Sequence, residues 1–191
     1  ELAYSMLFAL PSTPVMRYGD DIGMGDDLSL PERLSVRTPM QWSDSENAGF
    51  TSAKNPVRPV IDSAQYSYRI LNVAKASKDS ASLLNWTRRM ISLRQHLPEI
   101  AYGKWEIIDC QSKHLLAVTY TMDNRELLLI HNFSPEAVTA RFELSGEPAT
   151  LTDEILKDAD PIVGTNGYTV SLDGYGYRWF KLSRSPQMAR K

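Results

Sequence analysis

Hydrophobic positions along this chain follow two regimes. The first ten residues, Glu1-Leu2-Ala3-Tyr4-Ser5-Met6-Leu7-Phe8-Ala9-Leu10, are nearly all apolar and predict a buried helix that Pro11 stops. Pro14-Val15-Met16-Arg17-Tyr18 then predicts a short strand ending at Gly19. From residue 19 to 78 periodicity all but vanishes among Gly, Pro, Asp and Ser. Loops of that length in compact domains are usually functional or disordered. Order returns with Leu83, Trp86, Met90, Leu93 and Leu97 at three-then-four spacing. They predict a core-packed helix with Ser80 as N-cap and Pro98 as its end.

After Tyr102 the pattern shortens to alternating segments. Strands are predicted at 104–109, 115–121, 126–132, 137–144, 149–155, 169–172 and 177–182. Asp123-Asn124 reads as a tight hairpin turn, with further turns at Ser145-Gly146-Glu147-Pro148 and Asp173-Gly174. Short strands at such regular spacing predict an antiparallel sandwich, with a polar, frayed tail from Ser183. Tyr102, Trp105, Tyr120, Tyr168, Tyr175, Tyr177 and Trp179 fall in this half. Their faces suit sugar stacking, but a small sandwich also needs such mass in its core, and core packing is the favoured reading.

Composition narrows the classes. The 191 residues fit one domain or a large fragment with a small domain, and 42% hydrophobic with 23% charged residues is ordinary for a globular chain. A net charge of −2 offers no basic surface for nucleic acid or an anionic membrane. The apolar start is too short to span a bilayer and carries Glu1 where a signal peptide would be basic. A single cysteine, Cys110, has no partner for an internal disulfide, which favours a reducing compartment such as the cytoplasm and reads as a buried, inert thiol. His96, His114 and His131 lack metal-ligand spacing and read as exposed.

The candidate chemistry lies in the long loop. Arg37-Thr38-Pro39-Met40-Gln41-Trp42, then Asn47-Ala48-Gly49-Phe50-Thr51, with the upstream run from Thr13 to Asp27 that contains Tyr18-Gly19-Asp20-Asp21, form the most distinctive stretch. Arg37 offers a planar donor fork suited to vicinal hydroxyls or to a carboxylate. Asp20 and Asp21 suit sugar hydroxyls, the orientation of Arg37, or turn capping. Gln41 has an amide suited to hydroxyls, and Trp42 and Phe50 have flat faces for which loop packing is the competing reading. The acidic run Asp20, Asp21, Asp26, Asp27 and Glu32 does not match the calcium loop of helix–loop–helix proteins, and no metal site is assigned.

These motifs resemble the late part of the α-amylase family of glycoside hydrolases, nearest its trehalose-synthase and α-glucosidase branches. The resemblance implies an α+β fold: residues 1–98 as the C-terminal end of a (β/α)8 barrel (helix, last strand 14–18, long active-face loop 19–78, last helix) and residues 99–191 as an appended antiparallel β-sandwich. It implies Arg37 near the sugar beyond the scissile bond. One departure is Arg17, where many relatives carry an aromatic or apolar residue. The family's catalytic carboxylates sit on earlier barrel strands, so no catalytic residue carries over to this sequence. The expectation is therefore the C-terminal portion of an enzyme acting on short α-glucosides, by maltose–trehalose interconversion or hydrolysis, and inactive alone. No cofactor is expected, although calcium could serve the intact enzyme. The partners are α-glucoside sugars, an upstream barrel portion and a second copy through the N-terminal segment. The alternatives are a non-catalytic glucan-binding module and a barrel-completing module.

Overall fold

The computed structural model describes residues 1–157, 161–164 and 167–184. Its helices are α1 (Leu2–Ala9), α2 (Val73–Ala76), α3 (Leu83–Gln95) and α4 (Glu99–Tyr102). Contacts gather the chain into two units, Val15–Ile91 and a second made of Leu2–Pro14 with the chain from Ser92 onward. The first helix thus lies with the later strands and not with the loop that follows it.

The second unit is built on β1 (Lys104–Ile108), β2 (Leu115–Met122), β3 (Arg125–Asn132), β4 (Val138–Phe142), β5 (Ala149–Asp153), β6 (Ile162–Val163), β7 (Tyr168–Leu172) and β8 (Tyr177–Arg184). Six strands form one sheet in the order β1-β2-β3-β8-β5-β6, and β4 pairs with β7 in a second, with every ladder antiparallel. All seven segments read from alternation are strands. β6 was not expected, because two residues are too few for an alternation to register. β8 runs through Arg184, and the rest of the expected frayed tail lies outside the described residues.

Register assigns the side chains of the large sheet to two faces. Ala117, Leu128, Ile130, Phe180 and Leu151 share one face and form the core with Phe142 and Val170 of the two-stranded sheet. Val118, Tyr120, Leu129, His131 and Trp179 share the other, which α1 covers. Six successive positions of β3 are buried, as a strand covered on both faces requires. Tyr120 donates its hydroxyl to the Ala9 carbonyl at 2.6 Å, while the Arg94 guanidinium donates to the carbonyls of Phe8, Leu10 and Ser12. Together they satisfy acceptors that the end of α1 leaves without intrahelical partners.

Some local expectations change. Residues 14–18 join neither sheet; a strand exists only within a ladder, and among the described residues nothing pairs with this segment. Ser82, not Ser80, caps α3: its Oγ accepts the Asn85 N–H at 3.2 Å and donates to the Ala76 carbonyl at 2.7 Å. His131 is buried, not exposed. Of the aromatics in this half, Tyr120, Tyr168 and Trp179 are core residues, whereas Tyr102, Trp105 and Tyr175 are exposed. Cys110 is buried, and burial, with Asp109 nearby, pushes its thiol up to about 11, so it stays protonated at neutral pH. Among the described residues no helix is long and apolar enough to cross a membrane.

Candidate functional site

The unit Val15–Ile91 is folded less by ladders than by side chains reaching backbone. Gly19, at φ +86°, opens the turn after Tyr18; that left-handed backbone favours glycine, and a Cβ there would press on the flexible Met24 side chain. Ile22 and Met24 return their N–H groups to the Gly19 carbonyl. Arg17 organises the acidic run. Its backbone N–H donates to Asp20 at 3.0 Å, and its guanidinium pairs with Asp20 at 3.5 Å and Asp26 at 3.7 Å. Asp27 accepts from the N–H and hydroxyl of Ser29. These carboxylates are engaged locally, and among the described residues no group of three or more Asp, Glu, His or Cys side chains converges on a common point.

The Arg37–Trp42 motif is a buried beam with exposed ends. Thr38, Pro39, Met40 and Gln41 are buried, while Arg37 and Trp42 are exposed. Tyr18 donates its hydroxyl to the Thr38 carbonyl at 2.8 Å. Gln41 is fully buried, and its Nε2 donates to the carbonyls of Tyr66 at 3.0 Å and Leu71 at 2.6 Å. Its backbone carbonyl accepts from Val73 at the start of α2, whose N-cap is Asn72. Downstream, Asn47 (φ 51°), Ala48 (φ 58°) and Gly49 (φ 68°) run through the left-handed region. The turn they make returns the Ala48 carbonyl to the Trp42 N–H at 2.9 Å and leaves Trp42 and Phe50 about half exposed. Ile22, Met40 and Leu84 form the small core beneath.

Two clefts open on this surface and share Tyr18 and Phe50. The larger, about 480 Å³, is lined by these two with Asp21, Trp42 and Arg88 among others. The smaller, about 390 Å³, adds Arg37, Thr51, Asn55 and Arg58. The structure therefore brings together Asp21, Trp42 and Phe50 in one cleft, and Arg37 and Phe50 in the next. Asp20 and Gln41 line neither: Asp20 is held by Arg17, and Gln41 lies inside, tying the loop to itself. Asp20 is paired with Arg17, not with Arg37 as one reading of the sequence had it. Tyr18 and Arg58 were not singled out as site residues. Tyr18 lay within the quoted motif, whereas Asn55-Pro56-Val57-Arg58 carries no periodicity or motif by which to find it.

Chemically, the clefts offer flat aromatic faces, guanidinium donors and a single carboxylate, Asp21. That combination can hold a polyhydroxylated ring by stacking and hydrogen bonding.

Comparison with known proteins adds the family. Residues 1–103 match the model of the alpha-amylase catalytic domain, and residues 125–181 match that of the sucrose hydrolase-like C-terminal domain. The chain is 35% identical over 193 residues to the trehalose synthase/amylase TreS of Mycobacterium tuberculosis, covering 96% of this chain and 31% of that protein. It is 34% identical over 145 residues to the oligo-1,6-glucosidase of Parageobacillus thermoglucosidasius, covering 74% of this chain and 24% of that protein. The trehalulose synthase MutB of Pseudomonas mesoacidophila superposes with a TM-score of 0.75 at 22% identity, over 95% of this chain and 38% of that one. The chain thus spans between about a fifth and a third of the length of the curated relatives it matches. With more than half of its length matched to the catalytic-domain model, it belongs to the alpha-amylase family.

Proposed function

We propose that this chain supplies one wall of the substrate site of an enzyme acting on short α-glucosides, by maltose–trehalose interconversion or by hydrolysis, and that it is inactive alone. In this reading residues 1–98 are the C-terminal end of a (β/α)8 barrel with an active-face loop at 19–78, and residues 99–191 are the β-sandwich domain that follows it in sequence. One observation carries the proposal: the clefts hold aromatic faces and arginines but one carboxylate between them. A retaining glycosidase needs two, about 5 Å apart, one as nucleophile and one as acid/base. The two belong to earlier barrel strands of the intact enzyme, and the residues here bind and orient. Phe50 and Trp42 stack on a glucose ring, Arg37 donates to hydroxyls of the sugar beyond the scissile bond, and Asp21 accepts from hydroxyls. A buried thiol without a disulfide partner agrees with a cytoplasmic setting.

The test uses the chain with maltose and trehalose. No turnover of either is expected, with a quench of tryptophan fluorescence on maltose that Trp42→Ala removes. Sustained turnover that disappears in Arg37→Ala would overturn the claim of inactivity, and a flat titration would count against a sugar-facing cleft.

A further inference from the structure

The smaller cleft carries a charge pattern that a neutral sugar does not account for. Arg37 and Arg58 both line it, and none of its lining residues is Asp or Glu. Among the described residues neither guanidinium has a hydrogen bond or an ion pair. Elsewhere in this unit Arg17 holds Asp20 and Asp26, Arg69 holds Asp62, and Arg88 and Arg89 donate to Asn85 and to the Ser80 carbonyl, while Arg33, which does not line the cleft, is exposed on the loop. Two cations facing one cleft repel each other, and hydroxyl groups relieve that repulsion poorly. A doubly charged oxyanion relieves it fully and matches the planar donor fork of arginine with paired hydrogen bonds. Tyr18 and Phe50 border both clefts and place an apolar face beside the cationic pair.

We propose that Arg37 and Arg58 form an oxyanion-binding site that takes the phosphate of a phosphorylated sugar, the ring lying against Tyr18 and Phe50. This rests on the sugar-facing reading of the loop given above and adds Arg58 and an anionic class of ligand to it. The site recognises and positions; it performs no bond-making step.

Isothermal titration calorimetry of the full chain with glucose 6-phosphate, inorganic phosphate, glucose and maltose tests it. Glucose 6-phosphate is expected to bind at least about tenfold more tightly than glucose, and to weaken about tenfold in Arg58→Gln, the scale of one charge-assisted contact. Raised salt should weaken it further, while circular dichroism of the variant stays unchanged. Inorganic phosphate binding as tightly as glucose 6-phosphate supports the oxyanion site and identifies free phosphate as its ligand, with no contribution from the ring. No heat from either phosphate, or binding indifferent to Arg58→Gln and Arg37→Gln, overturns the proposal. Maltose separates the two claims: retained maltose binding without a phosphate response leaves the sugar-facing cleft standing and removes only this site.

Discussion

His131 shows how burial sets a protonation state. Trp179 can only donate, and its Nε1 gives a hydrogen bond to Ser5 Oγ at 3.0 Å. Ser5 Oγ also lies 3.0 Å from His131 Nε2, so this buried ring nitrogen has a hydroxyl partner. Burial pushes the imidazole down from 6.5 to about 4. The unfolded state therefore binds a proton that the folded state refuses between those two values. Stability contributed by the neutral ring is complete above about pH 6.5 and is lost as pH falls toward about pH 4, by roughly 3 kcal/mol in total. Urea unfolding is expected to show a loss of roughly 2 kcal/mol between neutral pH and about pH 5, and a shallower slope in His131→Gln. An identical slope in the variant would show that the ring titrates normally. None of this was legible in the sequence, where His131 reads as one histidine on a strand, because its burial depends on a helix 126 residues away. Gln41 teaches the converse. The motif around it was legible, yet the amide that looked suited to sugar hydroxyls is spent on the carbonyls of Tyr66 and Leu71.

At the scale of elements, legibility follows periodicity. β2, β3 and β8 each pair along six or more residues, long enough to register as short strand segments, although β3 is covered on both faces and is buried at successive rather than alternate positions. β6 pairs through two residues and left no such trace. The loop from 19 to 78 defeated pattern reading for a related reason: it is held by single bonds from Tyr18, Gln41, Asn47 and Asn72 to carbonyls, and isolated bonds have no period. The N-cap of α3 was displaced by two residues, since Ser80 and Ser82 both satisfy the sequence rule and only the geometry separates them. Ser82→Ala should therefore destabilise by about 1 kcal/mol, whereas Ser80→Ala should be near neutral. Thermal unfolding of the two variants reads the difference, and the reverse order would return the cap to Ser80.

For the molecule as a whole, the two units differ in what holds them. The strand-rich unit closes a core between two sheets and is buried on the outer face as well, where Tyr120, His131 and Trp179 bond to α1. The loop unit packs Ile22, Met40 and Leu84 into one small cluster, with Ile61, Tyr68, Trp86 and Met90 also buried, and its stretch around Lys54 and Val57 is exposed. Local opening is cheapest where few apolar contacts must break and backbone already meets water. Trypsin under native conditions is thus expected to cut first at Lys54, well before Lys104 or Arg125 on the strands, although those also lie in accessible positions; the Arg58–Pro59 bond is not a trypsin site. A strand cannot enter a protease cleft without leaving its ladder; β3 leaves its ladder only with the core, and Lys104 on the edge strand β1 is protected by its pairing with β2. Ligand binding should reverse part of this order. If Arg37 and Arg58 close on a phosphorylated sugar, glucose 6-phosphate slows the first cut and glucose does not, and mass spectrometry of the fragments over time reads both effects. Protection by neither sugar, with cutting already fast at Lys54, would mean that the cleft is not an anion site. First cutting on the strands would instead contradict the ranking of the two units.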